Sequence, residues 1–206
     1  LGYKKIKFEQ ERQIQSGNTK LFFDEGKLRL FYRELELTTS DSFFSSFYSE
    51  QKWFNSSEAV WDLRKEGPAT LILKASWPEI NAHQIWRISL LNENEILWNI
   101  GMETAEKTDI LSFLNVIFLS DRYSRWFSTY EEGDFPSDLS WQEAALLNNK
   151  RKSVGVKKEG DYPGLIFDIS QDINPGLPSI QNTDAIHKAR ALYVSAIPQA
   201  AKSIEP

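Results

Sequence analysis

His83-Gln84-Ile85-Trp86-Arg87-Ile88-Ser89-Leu90-Leu91, the break at Asn92-Glu93-Asn94 and the run from Asn94 to Thr104 decide how this chain is read. Apolar residues recur at every second position, which fits a strand with one buried face better than a helix, whose period is about 3.6 residues. Trp86 shares its face with Ile88 and Leu90, opposite His83, Ile85, Arg87 and Ser89. Trp98 shares its face with Ile96, Ile100 and Met102, opposite Asn99, Gly101 and Glu103. A short polar break between two such runs reads as a turn joining antiparallel neighbours.

The same texture extends in both directions. Thr19–Phe23, the turn Asp24-Glu25-Gly26 and Lys27–Arg33 read as another hairpin, and Glu58–Arg64, Ala69–Trp77 and Asp109–Ser120 continue the series between Gly67-Pro68, Pro78 and the polar stretch 106–109. Pro163–Ser170 is a further strand, and Ala189–Ile197, which suits strand or helix, is taken as a strand. Ser140-Trp141-Gln142-Glu143 has capping-box spacing before Ala144-Ala-Leu-Leu147 and predicts one short helix. The fold class that follows is all-β: an antiparallel two-sheet β-sandwich, jelly-roll-like, with at most one or two short helices; a partly open barrel is the alternative. The expected organisation is a lead-in over 1–18, one sandwich domain over 19–197 with an aromatic loop at 121–136 and a basic connector at 148–160, and a tail over 198–206.

The 206 residues carry 24 Lys+Arg against 29 Asp+Glu, a net charge of −5, which disfavours nucleic acid and anionic membranes because both require a concentrated basic field. With no Cys, disulfides, thiolate metal sites and cysteine nucleophiles are excluded. His83 and His187 are the only imidazoles, too few for a typical His-rich zinc site. There is no secretory core at the N-terminus and no apolar stretch of about 18 residues, so no membrane insertion is expected and the compartment stays open. A start at Leu1 and an end at Pro206 suggest a piece of a longer polypeptide.

The seven Trp separate by context. Trp61, Trp77, Trp86 and Trp98 lie on apolar strand faces and are expected in the core. Trp53, Trp126 and Trp141 fall in loops or at a helix start, together with Tyr123 and Tyr130, where a ring either plugs the end of the sandwich or offers a platform to the C–H face of a sugar. A second candidate surface is the polar face His83, Arg87, Asn99 and Glu103, with Asp62, Arg64 and Lys74 on adjoining strands. The candidate ligand-binding residues are therefore Trp53, Tyr123, Trp126, Tyr130, His83, Arg87, Asn99 and Glu103.

Catalytic patterns are sparse. Glu34-Leu-Glu36 and Glu93-Asn-Glu95 have the spacing of paired carboxylates but read as solvated positions, and Ser49-Glu-Gln-Lys52 matches a nucleophile pattern in surroundings that are not helical. No catalytic residue and no cofactor are expected. A structural calcium on Asp168, Asp172 and Asn174 is conceivable from their oxygen ligands, although a turn explains the spacing.

Leu30–Thr38, Trp61, Gln84-Ile-Trp-Arg-Ile88, Ile96-Leu-Trp-Asn-Ile100 and Ser120-Asp-Arg-Tyr-Ser-Arg-Trp126 together resemble the accessory, carbohydrate-binding-like β-sandwich modules of bacterial glycan-handling proteins, over about residues 20–170. The resemblance implies non-catalytic recognition of a polysaccharide or glycan, with a carbohydrate ligand and further domains of a parent protein as partners. Two alternatives remain: a protein-interaction or assembly module, in which the exposed rings are contact hot spots, and a glycan-active enzyme using carboxylates such as Glu103 or Glu131.

Overall fold

The central hairpin forms as expected. Ala82–Asn92 pairs antiparallel with Glu95–Thr104, placing Trp86 opposite Ile100 and Trp98 opposite Ile88. The structure is a computed structural model describing residues 10–105, 108–146, 153–160, 162–168, 178–196 and 202–204. It is an all-β sandwich of antiparallel sheets, and the helical turns among the described residues are two short 3-10 segments, Gln10–Arg12 and Ser56–Glu58.

The largest sheet has ten strands. Its path runs through Gln13–Ser16, Thr19–Asp24, Lys27–Tyr32, Thr38–Ser49, Ser112–Ser120, Ala189–Ala196, Pro178–Asn182 and Gln142–Leu146, with Leu35–Glu36 and Lys52–Asn55 attached beside it. A four-stranded meander orders Glu95–Thr104, Ala82–Asn92, Thr70–Ser76 and Val60–Lys65. A third sheet orders Glu132–Asp134, Arg125–Ser128, Ser153–Lys157 and Leu165–Asp168, and Thr108–Ile110 pairs with Lys202–Ile204.

One face of the large sheet presents Leu21, Leu28, Leu30, Phe43, Ile117, Leu119, Ile180 and Leu192 to the main core. The meander covers one part of it through a ladder of rings. Trp86, fully buried, meets Trp61 edge-on at 4.9 Å and Trp98 at 5.1 Å, and these reach Phe23 at 5.2 Å and Phe43 at 5.0 Å across the sheet interface. Trp77, also buried, anchors a smaller cluster with Phe47 and Phe54. The third sheet covers the other part with Trp126, Val154 and Val156. The second layer is therefore two sheets side by side rather than the single sheet expected. Eight strands in path at about 4.8 Å spacing are about twice as wide as a four-stranded sheet can cover.

Local rules account for the turns. Glu25 and Gly26 both have positive φ, 46° and 81°, as the tight hairpin between Thr19–Asp24 and Lys27–Tyr32 requires. A Cβ at Gly26 would stand 3.0 Å from Trp61 Nε1, so packing also favours the glycine. The helix expected at Ser140–Leu147 is not formed: Gln142–Leu146 is an edge strand paired with Pro178–Asn182. The Ser140 hydroxyl hydrogen-bonds the Asp138 carboxylate, and the gain from completing the sheet overrides the helix preference of the alanines and leucines. The expected aromatic loop contains a hairpin, Arg125–Ser128 with Glu132–Asp134, and the basic connector contains the strand Ser153–Lys157. Asn148, Asp172 and Asn174 lie outside the described residues.

Candidate functional site

Two of the expected platforms are core residues. Tyr123 is fully buried; its hydroxyl donates to the Pro163 carbonyl at 3.0 Å, its ring meets Tyr162 edge-on at 4.9 Å, and burial pushes its pKa up. Trp126 is buried against the third sheet, where a Cβ on Gly133 would come within 2.8 Å of its ring. Arg125–Ser128, which looked like part of a loop, pairs with Ser153–Lys157 and turns Trp126 inward, while the turn that joins Tyr123 N–H to the Ser120 carbonyl and the bond to Pro163 hold Tyr123 inside. They close the sandwich and leave no ring face for a ligand.

The structure does bring His83, Arg87, Asn99 and Glu103 together. Glu103 is the register partner of His83, and Asn99 that of Arg87, all on the outer face of the meander. His83 Nδ1 lies 2.9 Å from Ser76 Oγ; burial, then Lys74, push its pKa down against the opposing pull of Glu103. Arg87 pairs with Glu66, and Lys74 stands 4.0 Å from Glu103. This face is polar and largely self-neutralised, and the aromatic rings of the two strands that carry it, Trp86 and Trp98, turn to the opposite side. The carboxylates of Glu34 and Glu36 are taken by Lys20 and Arg29, so they do not face one another as an acid/base pair.

Tyr130 is 74% exposed at the tip of the Arg125–Asp134 hairpin, where the Ser128 hydroxyl accepts the Tyr130 and Glu131 N–H groups. Phe127, Tyr130, Glu132 and Lys157 border an open concavity of about 310 Å³. Lys157 donates to Glu132 at 2.6 Å and Arg125 does so at 3.0 Å, which hold the Glu132 pKa down. Trp53 is exposed elsewhere, beside Tyr48 at 5.4 Å.

The densest gathering of exposed ring and polar chemistry lies on the other face of the ten-stranded sheet, opposite the main core. The apolar cluster on that face, built around Val116, Phe118, Ala189 and Ala191 with Phe44, Leu114 and Tyr193, draws all its members from the large sheet. At one end stands Trp141, 44% exposed, its Nε1 donating to Gln181 Oε1 at 2.8 Å. Its ring meets His187 edge-on at 5.1 Å and Tyr193 at 6.4 Å, and His187 stacks on Phe118 at 6.1 Å. Asp184 Oδ1 accepts the Ile186 and His187 backbone N–H groups at 3.0 and 2.9 Å and lies 2.7 Å from His187 Nδ1. Those hydrogen bonds, the His187 backbone first and its ring second, pull the Asp184 pKa below its ordinary value. Burial pushes the Tyr193 hydroxyl up to about 12, so it is a neutral donor at physiological pH.

A buried relay fixes this end of the face. Arg190 donates to the Tyr123 carbonyl at 3.0 Å and to Asn182 Oδ1, while Asn182 Nδ2 donates to the Asp138 and Ser140 carbonyls at 2.6 and 3.1 Å. Trp141 follows directly. Thr183 closes the neighbouring turn by donating to the Ala189 carbonyl at 2.9 Å and accepting its N–H at 2.8 Å. Sequence reasoning placed Trp141 at a helix start, outside the chosen ligand-binding residues, and did not find Gln181, Asp184, His187 or Tyr193 as its neighbours, because they meet through strand pairings some forty residues apart. The Asp184-Ala-Ile-His187 spacing was the available signal. Among the described residues no group of three or more His, Asp or Glu converges to hold a metal ion.

No protein-family model matches the chain, and no curated protein matches it in sequence. In the solved structures, it is similar to a putative aldose 1-epimerase from Escherichia coli K12, with a TM-score of 0.61, 9% identity, and coverage of 93% of this chain and 92% of that one. The likeness shows the fold alone, a β-sandwich shared over nearly the whole of both chains.

Proposed function

We propose that this protein recognises carbohydrate on the face of its large sheet opposite the main core, as a non-catalytic binding module. The observation that carries the reading is the exposed indole of Trp141, held by Gln181 and backed by His187 and Tyr193. A ring fixed in this way loses little freedom on stacking against a sugar, and the adjoining amide, imidazole and hydroxyl groups suit its hydroxyls. The name of the structural neighbour, an epimerase of aldoses, supports the same class of ligand. The test is a glycan array followed by calorimetric titration of the hits, comparing wild type with Trp141→Ala, with near-ultraviolet circular dichroism as the folding control. Trp141→Ala is expected to remain folded and to weaken binding at least about tenfold. Unchanged affinity in the folded variant overturns the site.

A second reading, an enzyme acting on an aldose, is favoured by the Asp184–His187 pair, since a carboxylate on Nδ1 orients an imidazole for proton transfer. Its check is anomer exchange of D-glucose and D-galactose followed by NMR. Acceleration by wild type that is absent in His187→Ala supports it, and no acceleration by wild type rejects it for those sugars.

A further inference from the structure

We infer that the bound carbohydrate is an extended chain of several sugar units, running from Trp141 at one end of the face to Trp53 at the other. This deepens the carbohydrate reading and rests on it. Register pairing settles the geometry. Tyr48 is paired with Ser112, and Val116, four residues further along the same strand, is paired with Tyr193. Ser112, Leu114, Val116 and Phe118 alternate onto one face, so Tyr48 and Tyr193 share it. Trp53 is the partner of Tyr48 on the next strand outward, and its indole is therefore on that face too, 44% exposed.

Distance then excludes a single sugar as the ligand that uses both indoles. Strands lie about 4.8 Å apart and residues rise about 3.3 Å, which separates Tyr48 and Tyr193 by about 16 Å. A pyranose ring is about as wide as one strand spacing. Trp53 and Trp141 lie outside that pair, beyond the strands that carry the two tyrosines. Between them the face offers half-buried Ser195 with its register partner Leu114, and half-buried Phe44. Part-exposed apolar surface with the Ser195 hydroxyl beside it, closed at each end by an exposed indole, matches a polymer that presents C–H faces and hydroxyl edges along its length.

The experiment is calorimetric titration of malto-, cello-, xylo-, manno- and galacto-oligosaccharides, from monosaccharide to hexamer, against wild type, Trp53→Ala and Trp141→Ala. In the series that binds, affinity is expected to rise at least about tenfold from monomer to hexamer, because linked subsites raise the effective concentration of each unit. Trp53→Ala is expected to remove most of that gain; Trp141→Ala is expected to weaken every length. A monosaccharide bound as tightly as the hexamer overturns the extended site and leaves carbohydrate recognition standing, as does a folded Trp53→Ala that keeps full hexamer affinity. If no member of any series binds the folded wild type, both readings fall together. The length dependence in wild type alone decides the question even if Trp53→Ala does not fold.

Discussion

The two faces of the ten-stranded sheet are built from the same strands by the same alternation, yet they have different fates. On one, Leu21, Leu28, Ile117 and Leu192 are sealed beneath two smaller sheets. On the other, Phe118 and Val116 are buried by neighbours of their own sheet, and Trp141 and Trp53 stay exposed. Period-two patterning therefore tells which residues share a face. It does not tell what covers that face, which depends on where distant segments dock. The contrast is sharpest between two tryptophans: Trp86, fully buried among rings, and Trp141, fixed by one hydrogen bond with its surface still exposed.

Substitutions can break this contrast. Trp86→Ala should cost about 3–5 kcal/mol, the range for deleting a buried aromatic, while Trp141→Ala should change stability by less than about 1 kcal/mol; urea denaturation measures both. If the two costs are equal, the faces do not differ as described. Next in size, Gly155→Ala would drive a Cβ into the Phe127 ring, and overpacking of this kind costs about 1–3 kcal/mol, visible as a lowered thermal midpoint. Asn182→Ala should cost about 1–3 kcal/mol by leaving Arg190 and two carbonyls short of partners. It should also speed amide exchange around Trp141 without affecting the meander. The smallest effect concerns pH. Asp184 has a depressed folded pKa, so its contribution to the 184–187 turn is complete above the ordinary carboxylate range and is lost as pH falls through the folded value. The Ile186 and His187 backbone amide NMR shifts, whose N–H groups donate to Asp184, should report that loss, and Asp184→Asn should abolish the transition.

Much of the architecture was legible in the chain. The alternation around Trp86 and Trp98 predicted the meander, the core positions of Trp61 and Trp77, and the shared face of His83, Arg87, Asn99 and Glu103. Local signals failed where a distant partner intervened. Ser140–Leu147 reads as a helix until Pro178–Asn182 offers it a sheet edge, and Trp126 and Tyr123 read as loop platforms until Ser153–Lys157 pairs with the Trp126 hairpin and Tyr162 and Pro163 meet Tyr123. The neighbourhood of Trp141 was invisible for the same reason. Gln181, His187 and Tyr193 reach it only once strands from residues 142–146, 178–182 and 189–196 align.

The strand order of the large sheet also sets a timetable for folding. Thr38–Ser49 lies beside Ser112–Ser120, which lies beside Ala189–Ala196, so the sheet cannot be completed until the last fifth of the chain is available. The meander over Val60–Thr104 needs only sequential hairpins and carries low loop-closure cost. Amides of the meander should accordingly gain protection first in pulsed hydrogen exchange, with Ala189–Ala196 among the last. On a ribosome the half-made protein would carry an unpaired edge at Ser112–Ser120 until its C-terminal partner emerges, the interval in which strand exchange with a second nascent chain is most favourable.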